Sequence, residues 1–280
     1  MRPVLFTAAL TIALTAAASA QDAPNAREAF VERRGLIEAD ARCRLLQPSI
    51  RDALAVGLAQ ARGALLRAGW STAQVRELET VVVRAASARA CNDARTAASV
   101  AAISRSVAQW ANAGTMEFPG WERGWTARRT AEGWRLAQHV EAPLAATFGV
   151  RQVGDAQHLT LAIPVARGAT APASARLTMR NPGHVRTEIN LTQRMAHGLE
   201  AGLPSPSSEM MTPSTRTIER LDGGRSQAVF TFPDSAFRDL LALDPRESVE
   251  ISVQNGRATQ RLLIEVGDIG AARAFLTLRR

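Results

Sequence analysis

The apolar positions of this chain change their period near residue 114. Before that point they recur every three or four residues, the signature of helices that bury one face; after it they alternate or cluster in short runs between turn residues. The first half predicts four amphipathic helices from Asn25 onward. The first covers roughly 26–42, with Phe30, Val31, Ile37 and Ala41 on or near one face. Pro48 opens the second, where a missing N–H is no loss, and Ile50, Leu54, Leu58, Ala61 and Leu65 line its apolar stripe. Gly69 stands where a left-handed cap ends a helix. Ser71-Thr72-Ala73-Gln74 matches a capping box ahead of a third helix bearing Val75, Leu78, Val82 and Ala85. Asn92 or Asp93 caps the fourth, whose larger residues are Val100, Ile103, Val107 and Trp110. Connections this short make successive helices antiparallel neighbours, so residues 24–113 are expected to form an all-α up-down bundle.

From residue 134 the pattern predicts strands at 134–140, 158–166 and 174–180, the last turning at Asn181-Pro182-Gly183 into a return strand over 185–193. Residues 201–215, rich in Pro, Ser and Thr, read as an exposed loop. A strand at 227–232 leads to a short helix at 235–243, capped by Asp234 and burying Phe237, Leu240 and Leu241. Runs at 249–253 and 260–266 flank Asn255-Gly256, a hairpin signal, and Asp268 caps a last helix bearing Ile269, Ala272, Phe275 and Leu276. The predicted class is α+β, with a helical bundle followed by an antiparallel β-rich domain over 135–280 that carries short helices.

Between the two halves, residues 114–134 gather three of the five tryptophans, Trp121, Trp125 and Trp134, among Arg123, Arg128 and Arg129. Trp and Arg combine large buried area with directional contacts, so this junction is the candidate binding surface, with Trp121, Arg123, Trp125, Arg128 and Arg129 as its residues. An exposed recognition surface is the alternative to the favoured reading of its indoles, a wedge between domains. In that reading Trp121 and Trp125 are buried on one face of a helical turn, as i and i+4, and Pro119-Gly120 ends the helical half.

Composition adds an address. Arg2, the apolar run from Val4 to Ala18 and Ala18-Ser19-Ala20 form a secretory signal over 1–20, cut after Ala20. Every basic residue is arginine and tyrosine is absent, as codon bias in a GC-rich genome produces, and the expected location is a Gram-negative periplasm. In that compartment Cys43 and Cys91, which the up-down arrangement places at the same end of the bundle, are expected to be oxidised to a disulfide. No later run is long enough to span a membrane. The net charge of +8 is spread without a basic run, so nucleic acid is not an expected partner, whereas an envelope protein or an anionic envelope polymer is.

Catalytic signatures are missing. His139, His158, His184 and His197 are isolated, with no metal-ligand spacing, and no nucleophile elbow or phosphate loop occurs. No catalytic residue, cofactor or metal is therefore expected. The one carboxylate pair near indoles is Glu117 and Glu122, which would make the chain a peptidoglycan hydrolase if both faced a cleft. An inhibitor or immunity-like protein is a third reading, and a non-enzymatic interaction or envelope-maintenance protein is the leading one.

The stretch FPDSAFRDLLALDPRESVEISV, followed by IEVGDIGAARAFLTL, resembles the β-rich domain of the invasion-associated locus B family, where a strand, a short helix, a hairpin and a closing helix follow in similar order. This chain lacks the cysteines common in those domains. The mature chain as a whole is similar to uncharacterised exported alphaproteobacterial proteins. The resemblance implies an exported location and no particular activity.

Overall fold

The computed structural model describes residues 22–181 and 208–278. The expected signal segment, the return strand 185–193 with Pro182-Gly183, His184, His197 and the side chains of Val107 and Trp110 lie outside the described residues. Within them the chain is a four-helix region followed by an antiparallel β-rich domain with short helices.

The helices are α1 (Asp22–Cys43), α2 (Pro48–Arg67), α3 (Thr72–Ser87) and α4 (Ala94–Asn112). Their ends are set by local chemistry that the sequence announces. Pro48 starts α2, Gly69 follows it at φ 94°, and Ser71 and Gln74 exchange both bonds of the capping box ahead of α3. Asp93 accepts the Thr96 N–H at 2.8 Å at the head of α4. The connection from α1 to α2 has no such announcement. Arg44 there takes φ 53°, a left-handed cap made without glycine, and the buried carboxylate of Asp40 accepts the Leu46 N–H at 2.7 Å and a bond from Arg51.

Helix α1 is the hub of this half. It packs on α2 and α3, whereas α4 lies against α2 and α1. Sequential α3 and α4 do not pack along one another, which departs from the simplest up-down bundle. Cys43 and Cys91 are joined in a disulfide with Cα atoms 5.5 Å apart, tying the end of α1 to the α3–α4 connection. Beside it Arg42 donates to the Ser87 carbonyl at 2.7 Å and to that of Arg89, closing the end of α3. The carboxy-terminal ends of α1 and α3 therefore meet at the disulfide, and the two helices run parallel.

The second half is a pair of packed sheets. Strands β1 (Thr115–Phe118), β2 (Trp125–Arg128), β3 (Gly133–Val140), β4 (Ala146–Val153), β5 (Ala156–Val165), β8 (Thr215–Arg220) and β9 (Ser226–Thr231) form a seven-stranded sheet in the order β1-β2-β3-β4-β5-β9-β8. Strands β6 (Ser174–Arg180), β7 (Ser208–Met211), β10 (Ser248–Asn255) and β11 (Ala258–Glu265) form the other, in the order β11-β10-β6-β7. Phe148, Leu161 and Phe230 of the first sheet share one core with Leu177, Ile251 and Leu262 of the second. Helix α5 (Asp234–Leu241) and helix α6 (Ile269–Thr277) add Leu240 and Phe275 to it.

Three expectations are corrected. Ser208–Met211 is an edge strand rather than part of an exposed loop, because β6 supplies its backbone partners, and Thr215–Arg220 forms a second edge strand on β9. The junction 114–134 supplies β1, β2 and the start of β3, and Pro119-Gly120 lies in the β1–β2 connection, beyond the end of α4 at Asn112. Neither Asp234 nor Asp268 caps a helix through its side chain. Asp268 has another partner, described below.

Candidate functional site

The tryptophan–arginine stretch is organised by a carboxylate the sequence did not single out. Glu265, at the end of β11, is 1% exposed. The β1–β2 loop wraps its side chain. The Glu122 and Arg123 N–H groups donate to it at 3.0 Å, and the Trp121 N–H donates as well. Its main chain is equally engaged: the Trp125 indole donates to the carbonyls of Glu265 at 3.0 Å and Val266 at 2.9 Å, and Gln138 bonds both its carbonyl and its N–H. Burial pushes the Glu265 carboxyl above the usual range against the pull of these N–H groups and of Arg123. A side chain on Gly120 would meet the Arg123 carbonyl at 2.0 Å and Glu265 Oε2 at 2.6 Å, so only glycine lets the loop close this tightly.

Each expected junction residue has a definite place. Trp125 opens strand β2, with its indole in the core beside Phe148 at 6.4 Å between ring centroids. Trp121 is half-buried in the loop. The two do not share a helical face, because Pro119-Gly120 and the pairing of Phe118 with Trp125 make this stretch a strand–loop–strand unit. Arg129 lies 4.0 Å over the Phe275 ring and donates to the Phe275 carbonyl at 2.9 Å, fastening α6 to the sheet. Arg123 donates to the Leu263 carbonyl at 3.3 Å and faces Glu265 at 3.9 Å. Arg128 is exposed. Trp125 and Arg129 thus spend their directional groups inside the fold, and Arg123 turns its guanidinium inward to Glu265 and the Leu263 carbonyl.

Glu117 and Glu122 are both exposed; Glu117 accepts the Thr126 hydroxyl at 3.1 Å, and the Glu122 N–H is one of the donors to Glu265. A glycosidase acid works from a buried wall of a cleft, and neither side chain has one. His139 is exposed and contacts the Thr147 hydroxyl at 3.0 Å, and His158 is half-buried. Among the described residues no group of three metal-ligating side chains assembles.

A concave surface lies elsewhere, in the helical half. Because α3 and α4 do not pack on each other, a groove of about 510 Å³ opens between them with α1 as its floor. Val31, Gly35 and Ala39 line it from α1, and Leu78, Val81, Val82 and Ala85 from α3. Val81 is 57% exposed, a large apolar side chain standing at the lip. Arg27, Glu28 and Glu32 mark one end and Arg89, Thr96 and Ser99 the other. The sequence placed Leu78, Val82 and Ala85 on a buried face. The one signal that this face exceeds what the bundle covers is the adjacent run Val81-Val82-Val83, which widens the apolar stripe beyond the side that faces α1 and α2.

Comparison with family models, with curated proteins and with solved structures returned no match. Function is therefore read from the chain's own geometry.

Proposed function

We propose that the chain is a non-enzymatic interaction protein of the bacterial periplasm, which holds a partner in the α1–α3–α4 groove and uses the sandwich as its scaffold. The observation that carries this reading is the groove itself: about 510 Å³ of concave, largely apolar surface, within the size range of ligand sites, whose lining holds no histidine or cysteine and no metal-ligand cluster among the described residues. The periplasmic address is supported by the apolar run from Val4 to Ala18 with its Ala18-Ser19-Ala20 site and by the Cys43–Cys91 disulfide, a bond that persists in oxidising compartments. Among the described residues no helix is long and apolar enough to cross a membrane.

The reading is tested by comparing Val81→Glu with Val153→Glu. Both side chains are exposed, at 57% and 54%, one in the groove and one at the end of β4. Retention of the purified protein on immobilised envelope extract is expected to fall for Val81→Glu and to persist for Val153→Glu. Equal retention of both would place the binding surface outside the groove. Turnover of peptidoglycan by the wild type, abolished in Glu117→Gln or Glu122→Gln, would replace the reading with the hydrolase one.

A further inference from the structure

Resting on that reading, we propose that the occupant of the groove is an amphipathic α-helix of a partner protein, acidic at the end that meets Arg89 and basic at the end that meets Glu28 and Glu32. Shape is the first argument. The groove follows α1 from Arg27 to Ala39 and α3 from Leu78 to Ala86, with Arg89 just past the end of α3, a length of about three helical turns at 1.5 Å per residue. Its walls are helices that leave one place in the bundle vacant, so a further helix completes their packing.

The floor and walls differ in a way that suits such a guest. On α1 the middle position is Gly35, where an added Cβ would touch only Val82 Cγ1, at 3.7 Å. On α4 the residues that line the groove are Thr96 and Ser99. Small side chains on two walls allow a helix backbone to come close, and Leu78, Val81, Val82 and Ala85 on the third form an i, i+3, i+4, i+7 stripe for its large apolar residues.

Charge then fixes the chemistry and direction of the guest. Glu28 and Glu32, one turn apart on α1, outweigh Arg27 at the first end. At the disulfide end Arg89 and Arg95 outweigh Asp93, whose carboxyl is held low by the Thr96 N–H and hydroxyl and then by both arginines. Arg27, Glu28 and Arg89 form no ion pair among the described residues, so their charges are available. An acyl chain would answer a single charged end and leave the other unmatched. A helix can answer both, and its dipole adds to the match when its carboxy terminus lies at the arginine end. The guest therefore runs parallel to α1 and α3.

The test uses two stapled helical peptides of about four turns. Both carry leucines at i, i+3, i+4 and i+7; one has lysines in the first turn and glutamates in the last, and the other has these exchanged. Binding to the full disulfide-bonded chain is followed by fluorescence anisotropy at low salt, with oleate as a competing anionic amphiphile. The matched peptide is expected to bind about tenfold or more tightly than the exchanged one, as opposed charges across an interface select partners. Arg89→Glu is expected to erase or reverse that preference, and Val81→Glu to abolish binding of both. Both side chains are exposed, so the variants keep the fold, checked by near-ultraviolet circular dichroism and the intact disulfide. Equal affinity for the two peptides, indifference to Arg89→Glu, or no peptide binding would overturn the proposal. Oleate binding that Val81→Glu abolishes, without peptide binding, would overturn the helix while leaving the groove as the binding surface. Retention on envelope extract indifferent to Val81→Glu would sink the groove itself.

Discussion

Arg67 of α2 and Asp268 ahead of α6 join the two halves of the protein through a two-bonded ion pair, with Nη1–Oδ1 at 2.6 Å and Nη2–Oδ2 at 2.9 Å. Their side chains are 11% and 1% exposed, and Gly63, one turn before Arg67, makes the room: a Cβ there would stand 1.9 Å from Asp268 Oδ1. Val56 of α2 belongs to the sandwich core, so apolar packing and the ion pair hold the helical region against the sheets together. The groove is on another side of α1, and this seam keeps its floor fixed relative to the sandwich.

Replacing Arg67 by methionine leaves Asp268 buried without its partner. The expected loss is about 3–5 kcal/mol in urea unfolding, the range for breaking one side of a buried pair. Gly63→Ala should lose a similar amount by displacing Asp268, and the double variant should lose little more than either alone, since both remove one interaction. Additive losses would show that Gly63 and Arg67 act independently.

Glu265 gives a pH dependence whose sign is opposite to that of a salt-bridged surface carboxylate. Its pKa is raised in the fold by burial, so the folded state favours the protonated form. The stabilisation from this group is complete below its unfolded pKa, is lost as pH rises through the window up to its folded value, and stays at the lower level above. Glu265→Gln removes the titration. The urea midpoint of the variant should therefore gain on that of the wild type as pH rises through that window. Asp268, also raised by burial, is present in both proteins and cancels. A difference that does not change with pH would show that Glu265 has the same pKa folded and unfolded.

The Cys43–Cys91 bond spans 48 residues of sequence, and closing a loop of that size stabilises by about 4 kcal/mol in the chain-entropy account. Reduction, or replacement of both cysteines by serine, should lower the unfolding midpoint accordingly. It should also loosen the end of the groove at Arg89, which Arg42 and the disulfide hold together. The native protein should weigh two hydrogens less than the reduced one, and free alkylation of both thiols in the native state would contradict this.

Trp125 and Trp121 should separate in a fluorescence and stability experiment. Trp125 is fully buried and its indole N–H is bonded twice, so Trp125→Ala should cost about 3–5 kcal/mol and remove a blue-shifted, poorly quenched component. Trp121, half-buried in the loop, should cost clearly less. Equal costs would mean that the β1–β2 loop is as tightly packed as the core.

What could be read from the sequence was whatever is encoded locally. The capping box at Ser71, Pro48, Gly69, the Asn255-Gly256 hairpin and the alternation of β6 and β10 each depend on neighbours within a few residues, and the structure contains them all. The disulfide followed from the order of the helices. The rest depends on contacts between distant segments. Glu265 and Trp121 are 144 residues apart, and Arg67 and Asp268 are 201 apart, so neither pairing has a local trace. The tryptophan stretch was misread as a helical turn because an i, i+4 pair also fits a loop that ends in a strand. The groove was hidden for a related reason: the apolar stripe of α3 predicts burial, and only the position of α4 leaves Val81 uncovered.

The central claim, that the helical groove and not the tryptophan stretch meets the partner, is tested most directly by photo-crosslinking. A benzophenone side chain is placed singly at positions 81, 128 and 153, each exposed, and the purified disulfide-bonded protein is irradiated in envelope extract. A discrete adduct from position 81, absent from 128 and 153 and lost when Leu78→Glu is added, is the predicted result. Adducts from position 128 in place of 81 would contradict it and return the binding surface to the tryptophan–arginine stretch.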